Sequence, residues 1–188
     1  MSKSELLANE IEEKKIELLQ DRINNNSKLI NDLTNKLVAD YCKQLDDYVR
    51  FIQSILQDDK HPPTAQELDD FCLNLPVLLY FAGEAQENLG IKTDVAKAIK
   101  QEKYNEIYRE VKGTIADKTS ASELQVQSEE VTRIIYDRSY KIVKNKLEYA
   151  SELLQSVKKV ITRRTTELEL GKVDSGRFNN YGMHGYKG

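Results

Sequence analysis

The sequence predicts an all-α protein whose long amphipathic helices pack in a bundle or coiled-coil arrangement and assemble into oligomers. Three observations support this class. Charged residues make up 31% of the 188-residue chain and aromatic residues only 7%, a mixture typical of long solvated helices. Only 3 Pro and 8 Gly are present, so few positions interrupt a helix. Apolar residues recur at spacings of three and four, which place them on one helix face.

The first predicted helix covers residues 4–59. Its apolar residues form a seam with the 3–4 alternation of a coiled coil, and Asn26 lies on that seam. The seam residues are Ile16, Leu19, Ile23, Ile30, Leu33 and Leu37. The run Asn24-Asn25-Asn26-Ser27 offers the alternative of a turn between two helices, because Asn and Ser side chains compete with the helical backbone for hydrogen bonds. Pro62 and Pro63 end the helix.

A capping-box pattern, Thr64-Ala65-Gln66-Glu67, predicts the start of a second helix. We expect this helix to run to about Asn88 and to close at Gly90, with a kink at Pro76. Its continuous apolar run, Leu75 to Ala82, predicts the most buried piece of the protein, either within one chain or between copies. The oligomerisation candidates in this run are Leu75, Leu78, Leu79 and Phe81.

Thr93 predicts the cap of a further helix, and the strongest helical signal follows it. Between Thr119 and Leu170 the chain has neither Gly nor Pro, and Ser120-Ala121-Ser122-Glu123 is a second capping-box pattern. One long helix is therefore expected there. Its apolar stripe is wide enough to need two or more neighbouring helices. The oligomerisation candidates on its seam are Leu147, Leu154, Val157 and Ile161.

The composition changes after Gly171, where Gly, Asn and Tyr dominate. This segment has too few apolar side chains to form a buried core, so residues 171–188 are predicted to form a flexible tail. The tail is either an idle terminus or a short peptide that docks on a partner or binds nucleic acid. The predicted organisation is then an N-terminal coiled-coil-like region over 1–60, a helical core with a long basic final helix over 61–170, and the tail.

Side chains that catalysis or metal binding needs are sparse. The chain has two His and two Cys, and no His–Cys pair has the spacing of a structural zinc site. Neither a phosphate-binding glycine loop nor a nucleophile motif is present. These patterns predict a non-enzymatic protein without a cofactor or metal. No signal-peptide pattern opens the chain, and its longest apolar run is too short to cross a bilayer. We therefore expect a cytoplasmic protein, in the host cytoplasm if viral, without a membrane partner.

Charge is unevenly distributed along the chain. The net charge is −3, yet residues 132–164 carry nine basic and three acidic side chains, a net +6. A row of exposed cations on a helix suits the phosphates of a nucleic acid. The alternative is ordinary solvation of a helix surface. The nucleic-acid-binding candidates are Arg138, Lys141, Lys144, Lys158, Lys159, Arg163 and Arg164, together with Lys97, Lys100 and Lys103 of the preceding helix.

Three segments carry a resemblance to a known family. They are the Lys-rich stretch 96–104, Val111-Lys112-Gly113, and the end of the long helix over 152–164. In these segments residues 93–170 resemble the bacteriophage recombination-mediator proteins of the UvsY type. The resemblance implies an all-helical, ring-forming homo-oligomer that binds single-stranded DNA and helps to load a recombinase onto it. A recombinase or a single-stranded-DNA-binding protein would be a further partner.

Charge and resemblance together predict a single-stranded nucleic-acid-binding accessory protein of phage-type DNA recombination and replication. The alternative is a structural, scaffold or adaptor protein that acts through helical oligomerisation, for example a viral assembly component.

Overall fold

The computed structural model describes the backbone of residues 3–58 and 60–181 and the side chains of residues 15–58 and 60–171. Four helices make up the described secondary structure, in the order α1 (Lys3–Leu56), α2 (Ala65–Glu110), α3 (Ile115–Gln125) and α4 (Gln127–Tyr181). No strand occurs in this described part, so the all-α prediction is confirmed. None of the helices, over the residues described, has a stretch long and apolar enough to cross a membrane.

Helix α1 is continuous, as predicted, and the alternative of a turn at residues 24–27 is wrong. An Asn or Ser costs a helix at most about 0.7 kcal/mol, which the good helix formers on either side offset. The helix ends at Leu56, ahead of the two prolines. In the connection, the Asp58 carboxylate accepts hydrogen bonds from the backbone N–H groups of Lys60 and His61. These bonds, the one from Lys60 foremost, lower the pKa of Asp58.

Helix α2 starts at the predicted capping box. The Thr64 backbone N–H donates to Glu67 Oε2 at 2.7 Å, and the Glu67 N–H donates to Thr64 Oγ1 at 3.2 Å. The helix then continues through Pro76 and Gly90 to Glu110, so the predicted end at Gly90 is wrong. The predicted cap at Thr93 is also wrong, because its hydroxyl donates to the Leu89 carbonyl one turn back, at 2.8 Å. The kink at Pro76 stays a prediction.

Helix α3 begins ahead of the capping box that the sequence predicts at residues 120–123. Thr114 caps α3 in a capping box with Asp117, directly after Gly113, whose φ of +150° suits only glycine. The predicted box over 120–123 is therefore wrong, and Ser122 lies buried inside α3. The long helix predicted from Thr119 is interrupted at Val126.

Helix α4 continues past the predicted start of the tail. It runs to Tyr181, so residues 171–181 are helical where a flexible tail is predicted. The rest of that predicted tail, residues 182–188, lies outside the described residues.

The chain divides into two compact units, one of residues 1–43 and 84–144 and the other of residues 44–83 and 145–188. We call them unit 1 and unit 2. The predicted boundary at residue 60 does not separate them, because α1, α2 and α4 each contribute a segment to both units.

Unit 2 has the larger apolar core. Phe71 is buried in it and meets the rings of Tyr48 and Phe51 edge-on, at centroid distances of 6.4 and 6.1 Å. The buried members of this core are Leu45, Ile52, Leu68, Phe71, Leu75, Ala82, Ala150, Leu154 and Val157. They come from α1, α2 and α4, so unit 2 is a three-helix bundle in which two neighbours cover each apolar stripe.

In unit 1, a glycine and a polar contact each join two helices. Tyr140 of α4 lies against Gly90, where an added Cβ would be 3.5 Å from the ring. Lys92 of α2 donates to the hydroxyl of Tyr41 on α1 at 3.0 Å. This hydrogen bond raises the pKa of Lys92, because it stabilises the charged ammonium group.

Candidate functional surfaces

The predicted seam of α1 is largely uncovered in the described chain. Every residue from 15 to 29 is exposed. The seam residues Ile16, Leu19 and Ile23 each leave more than half of their surface open to solvent. Over this range the described chain provides no covering for the seam, which leaves a row of Ile and Leu side chains in solvent.

The exposed part of the seam ends where α1 joins the rest of unit 1. Ile30 is half-buried, and Thr34, Val38 and Cys42 are buried. Leu33 and Leu37 line a groove against α4, opposite Thr132, Ile135 and Tyr136. We call residues 15–30 the open seam, because buried positions of α1 and contacts with α4 begin beyond them.

The structure divides the predicted oligomerisation residues into two groups. Seven belong to the core of unit 2: Leu75, Leu154 and Val157 are buried in it, and Leu78, Leu79, Leu147 and Ile161 pack against it half-buried. Their own chain covers the three buried residues, which corrects their assignment to contacts between copies. Phe81 alone of the eight is exposed.

Phe81 belongs to an apolar patch on α2 that the sequence analysis missed. Leu73, Val77 and Tyr80 are also exposed there, and the Tyr80 and Phe81 rings meet edge-on with centroids 5.6 Å apart. Val77 follows Leu73 by four positions, and Tyr80 and Phe81 follow Val77 by three and four. This spacing in the sequence places side chains on one helix face. The exposed face was not predicted, because the patch overlaps the continuous apolar run 75–82, and such a run also fits a helix that is buried on all sides.

Several predicted nucleic-acid-binding cations in unit 1 have carboxylate partners. Lys100 lies 2.9 Å from Glu130, Lys103 lies 2.6 Å from Glu129, and Lys141 pairs with Asp137 one turn before it. Hydrogen bonding to Lys103 lowers the pKa of Glu129 to about 2. Hydrogen bonding to Arg133, with Lys100 contributing, does the same for Glu130. These lysines are therefore partly neutralised within the chain. Lys97, Arg138 and Lys144 are exposed.

In unit 2, the end of α4 presents its cations more openly. Lys158, Lys159 and Arg163 are exposed, although Arg163 donates to Glu167 at 2.8 Å. Arg164 is half-buried and donates to the Pro63 carbonyl. It therefore binds the segment between α1 and α2 to α4. We call Lys158, Lys159 and Arg163 the basic cluster. No acidic residue occurs between Glu152 and Glu167.

Four tyrosines of unit 1 lie in contacts within the chain. Tyr136 and Tyr140 are half-buried, and Tyr136 faces the Lys92 ammonium group, which is 5.8 Å from the ring centroid. Tyr104 and Tyr108 stack on each other at 6.2 Å. These rings are partly occupied by protein neighbours, which limits their use as stacking platforms for bases.

A groove with a largely apolar lining runs between α2 and α4 in unit 1 and has a volume of about 450 Å³. Ile91, Val95 and Ile99 line one wall. Its charged neighbours are engaged elsewhere, Lys92 with Tyr41 and Glu129 with Lys103. Among the described residues, no group of three or more His, Cys, Asp or Glu side chains is placed to hold a metal ion.

Comparison with protein-family models, with curated proteins and with solved structures finds no match for this chain.

Proposed function

We propose that the protein is a structural assembly component that associates with further copies of itself through the open seam of α1. The observation that carries this proposal is the uninterrupted exposure of residues 15–29, which include three seam positions occupied by Ile or Leu. The proposal places the function in association between helices, as in a scaffold or adaptor protein.

The physical argument starts from helix stability. An isolated helix of about 15 residues is marginal in water, since most helical stability in proteins comes from packing an apolar face. Fully burying one Ile or Leu stabilises a structure by about 1.5–3 kcal/mol. The Ile16, Leu19 and Ile23 side chains, more than half exposed, retain much of that potential. Association with another helix would bury these side chains and gain that free energy.

The mass of the purified full chain in solution tests this proposal. Sedimentation equilibrium at micromolar concentration is expected to show an oligomer. In the Ile23→Asp variant, association would bury a charge in the seam. The dissociation constant of its oligomer is therefore expected to be about 100-fold higher, or more, than that of the parent. Leu18→Asp is the matched control, because Leu18 is exposed on α1 but lies off the seam, and it is expected to keep the parent mass. A monomeric parent chain, or equal effects of both variants, would contradict the proposal.

A second candidate function is single-stranded nucleic-acid binding, and the basic cluster of α4 favours it. Lys158, Lys159 and Arg163 are exposed on consecutive turns, and phosphate contacts with such cations release counterions. Assembly would present several such clusters to one strand and raise the apparent affinity. The resemblance to the recombination mediators extends this candidate to recombinase loading.

Fluorescence anisotropy with a labelled poly-dT oligonucleotide tests the second candidate. Binding is expected at low salt and is expected to weaken steeply between about 50 and 300 mM salt. Reversal of the cluster in Lys158→Glu/Lys159→Glu should abolish it. The control Lys28→Glu/Lys43→Glu makes the same charge change at two exposed positions of α1. Absence of binding at low salt, or equal losses in both variants, would exclude the basic cluster as the site.

A further inference from the structure

We infer that the open seam of α1 pairs with the same seam of a second copy, in parallel and in register, as a two-stranded coiled coil. This inference rests on the proposed function and names its partner, orientation and stoichiometry. Four properties of residues 15–30 support it: the residue types on the seam, its single polar residue, the charges beside it, and its exposure.

The apolar seam residues are distributed as in two-stranded coils. With Ile16 at position a of the heptad, Ile23 and Ile30 also occupy a, and Leu19 occupies d. Isoleucine at a with leucine at d favours two strands over three or four, because β-branched and γ-branched side chains suit the different packing of these two layers. The seam therefore fits one second helix.

Asn26 occupies the d position between Ile23 and Ile30 and sets the register. An amide buried in an apolar seam needs a hydrogen-bonding partner. In a parallel, in-register pair it meets the amide of Asn26 in the other copy, which has both a donor and an acceptor to offer. A shift by one heptad would bring Asn26 against leucine. An antiparallel coil would bring it against isoleucine, since a layers there face d layers.

The charges beside the seam favour the same orientation. Lys15 and Arg22 lie at g positions, whereas Gln20 and Ser27 lie at e positions. In a parallel pair, g residues face e residues of the partner helix, so each cation meets a neutral side chain. An antiparallel pair places g beside g, so the cations of the two copies would repel each other.

The burial of α1 defines where the interface ends along the chain. Residues 15–29 are all exposed, and burial begins at Ile30. Leu33, although 43% exposed, lines a groove against α4 in the same unit, and Thr34 is only 3% exposed. The seam therefore changes partner near residue 30, from a second copy before it to the chain's own helices after it.

Cysteine cross-linking of the full chain tests the orientation. Leu19 and Leu18 are adjacent and similarly exposed, at 57% and 70%, but only Leu19 lies on the seam. In a parallel, in-register coil two d positions approach within the Cα–Cα range of a disulfide, roughly 4.4–6.8 Å. Leu19→Cys is expected to form disulfide-linked dimers in a glutathione redox buffer at least about 10-fold faster than Leu18→Cys. The native Cys42 and Cys72 are present in both variants, so any cross-linking through them is common to both.

Each outcome decides one part of the inference. Equal cross-linking rates of the two cysteine variants, or a trimer by sedimentation, would overturn the parallel two-stranded pair. If Ile23→Asp dissociates the oligomer but Leu19→Cys gains no cross-linking, the orientation fails and the proposed function stands. If Ile23→Asp leaves the mass unchanged, the proposed function fails as well.

Asn26→Leu provides a second readout that does not depend on sulfur chemistry. Removing the amide is expected to tighten association by about 10-fold and to broaden the mass distribution beyond dimers, because a buried Asn restricts oligomer state at a cost in stability. An unchanged mass and affinity in Asn26→Leu would refute the role of Asn26 in setting the register.

Discussion

Lys146 on α4 donates to both carboxylate oxygens of Asp46 on α1, with Nζ–O distances of 2.6 and 2.7 Å. Both side chains are largely buried, at 30% and 25% exposure. The pair joins two helices of unit 2 beside Leu45 and Ala150, which belong to its core. Removing one partner leaves the other charge poorly compensated in a partly desolvated site.

The stability of unit 2 is therefore expected to depend on this pair. Asp46→Asn should lower the free energy of unfolding by about 1–2 kcal/mol. The neighbouring Asp47 serves as control, since it pairs with Arg50 at 3.7 Å and is more than half exposed. Asp47→Asn should cost less than about 0.5 kcal/mol. Urea unfolding followed by circular dichroism measures both, and equal losses would contradict the importance of the contact between α1 and α4.

Acid should weaken the contact between α2 and the start of α4. The pKa of Glu129 and that of Glu130 are each lowered from 4.5 to about 2, by Lys103 and by Arg133 with Lys100. A carboxylate whose pKa is lower in the folded state stabilises the fold above its unfolded pKa. This contribution is complete above about pH 4.5 and disappears as the pH falls towards 2.

A urea midpoint measured at intervals from pH 6 down to about pH 2 tests this expectation. The variant Glu129→Gln/Glu130→Gln should be less stable than the parent at pH 6, and its midpoint should fall less between pH 4.5 and 2. The two proteins should approach each other at the acid end, where the parent carboxylates are protonated. Parallel curves over the whole range would show that these ion pairs contribute nothing to folding.

Two phenylalanines in contact should differ widely in their contribution to stability. Phe71 is 1% exposed and Phe51 is 51% exposed, although their rings touch edge-on. Phe71→Ala leaves a cavity in the core of unit 2 and should cost about 3–5 kcal/mol. Phe51→Ala removes a half-exposed ring at the edge of that core and should cost about 1 kcal/mol or less. Thermal and urea unfolding measure the difference, and similar losses would place the core elsewhere.

Local signals in the sequence predicted much of the fold. The Thr64–Glu67 capping box, the prolines before it and the seam of α1 each act within a few residues, so they appear directly in the sequence. The Thr114–Asp117 box was missed because Ser120–Glu123 has the same pattern, and spacing alone does not choose between them. The choice depends on Gly113, whose positive φ ends the preceding segment.

Contacts between distant parts of the chain were not predictable in the same way. The sequence predicts that the candidate cations are exposed, but the partner of Lys100 is Glu130, thirty positions away on another helix. Likewise, Leu154 and Leu19 both lie on apolar seams, and only the packing shows that the first is buried and the second exposed. Periodicity identifies an apolar face without identifying what covers it.

Gly90 shows how tertiary contacts override a local stop signal. It lies inside α2, and an added Cβ would meet Tyr140 Cε2 and Cδ2 at 3.5 and 3.7 Å, ordinary contact distances. Gly90→Ala is therefore expected to stabilise the protein by about 0.5–1 kcal/mol, because Ala loses less backbone entropy in a helix than Gly.

Gly113→Ala is the informative contrast. Its φ of +150° strains any residue with a side chain, and the added Cβ would lie 3.0 Å from Asp117 Oδ2 and 3.1 Å from Asp117 Cβ. This variant should lose about 1 kcal/mol or more. Melting temperatures of the two variants and the parent would test both expectations. If Gly90→Ala destabilised the protein instead, α2 would end at Gly90 in solution, as its sequence suggests, and the continuous helix Ala65–Glu110 would be wrong.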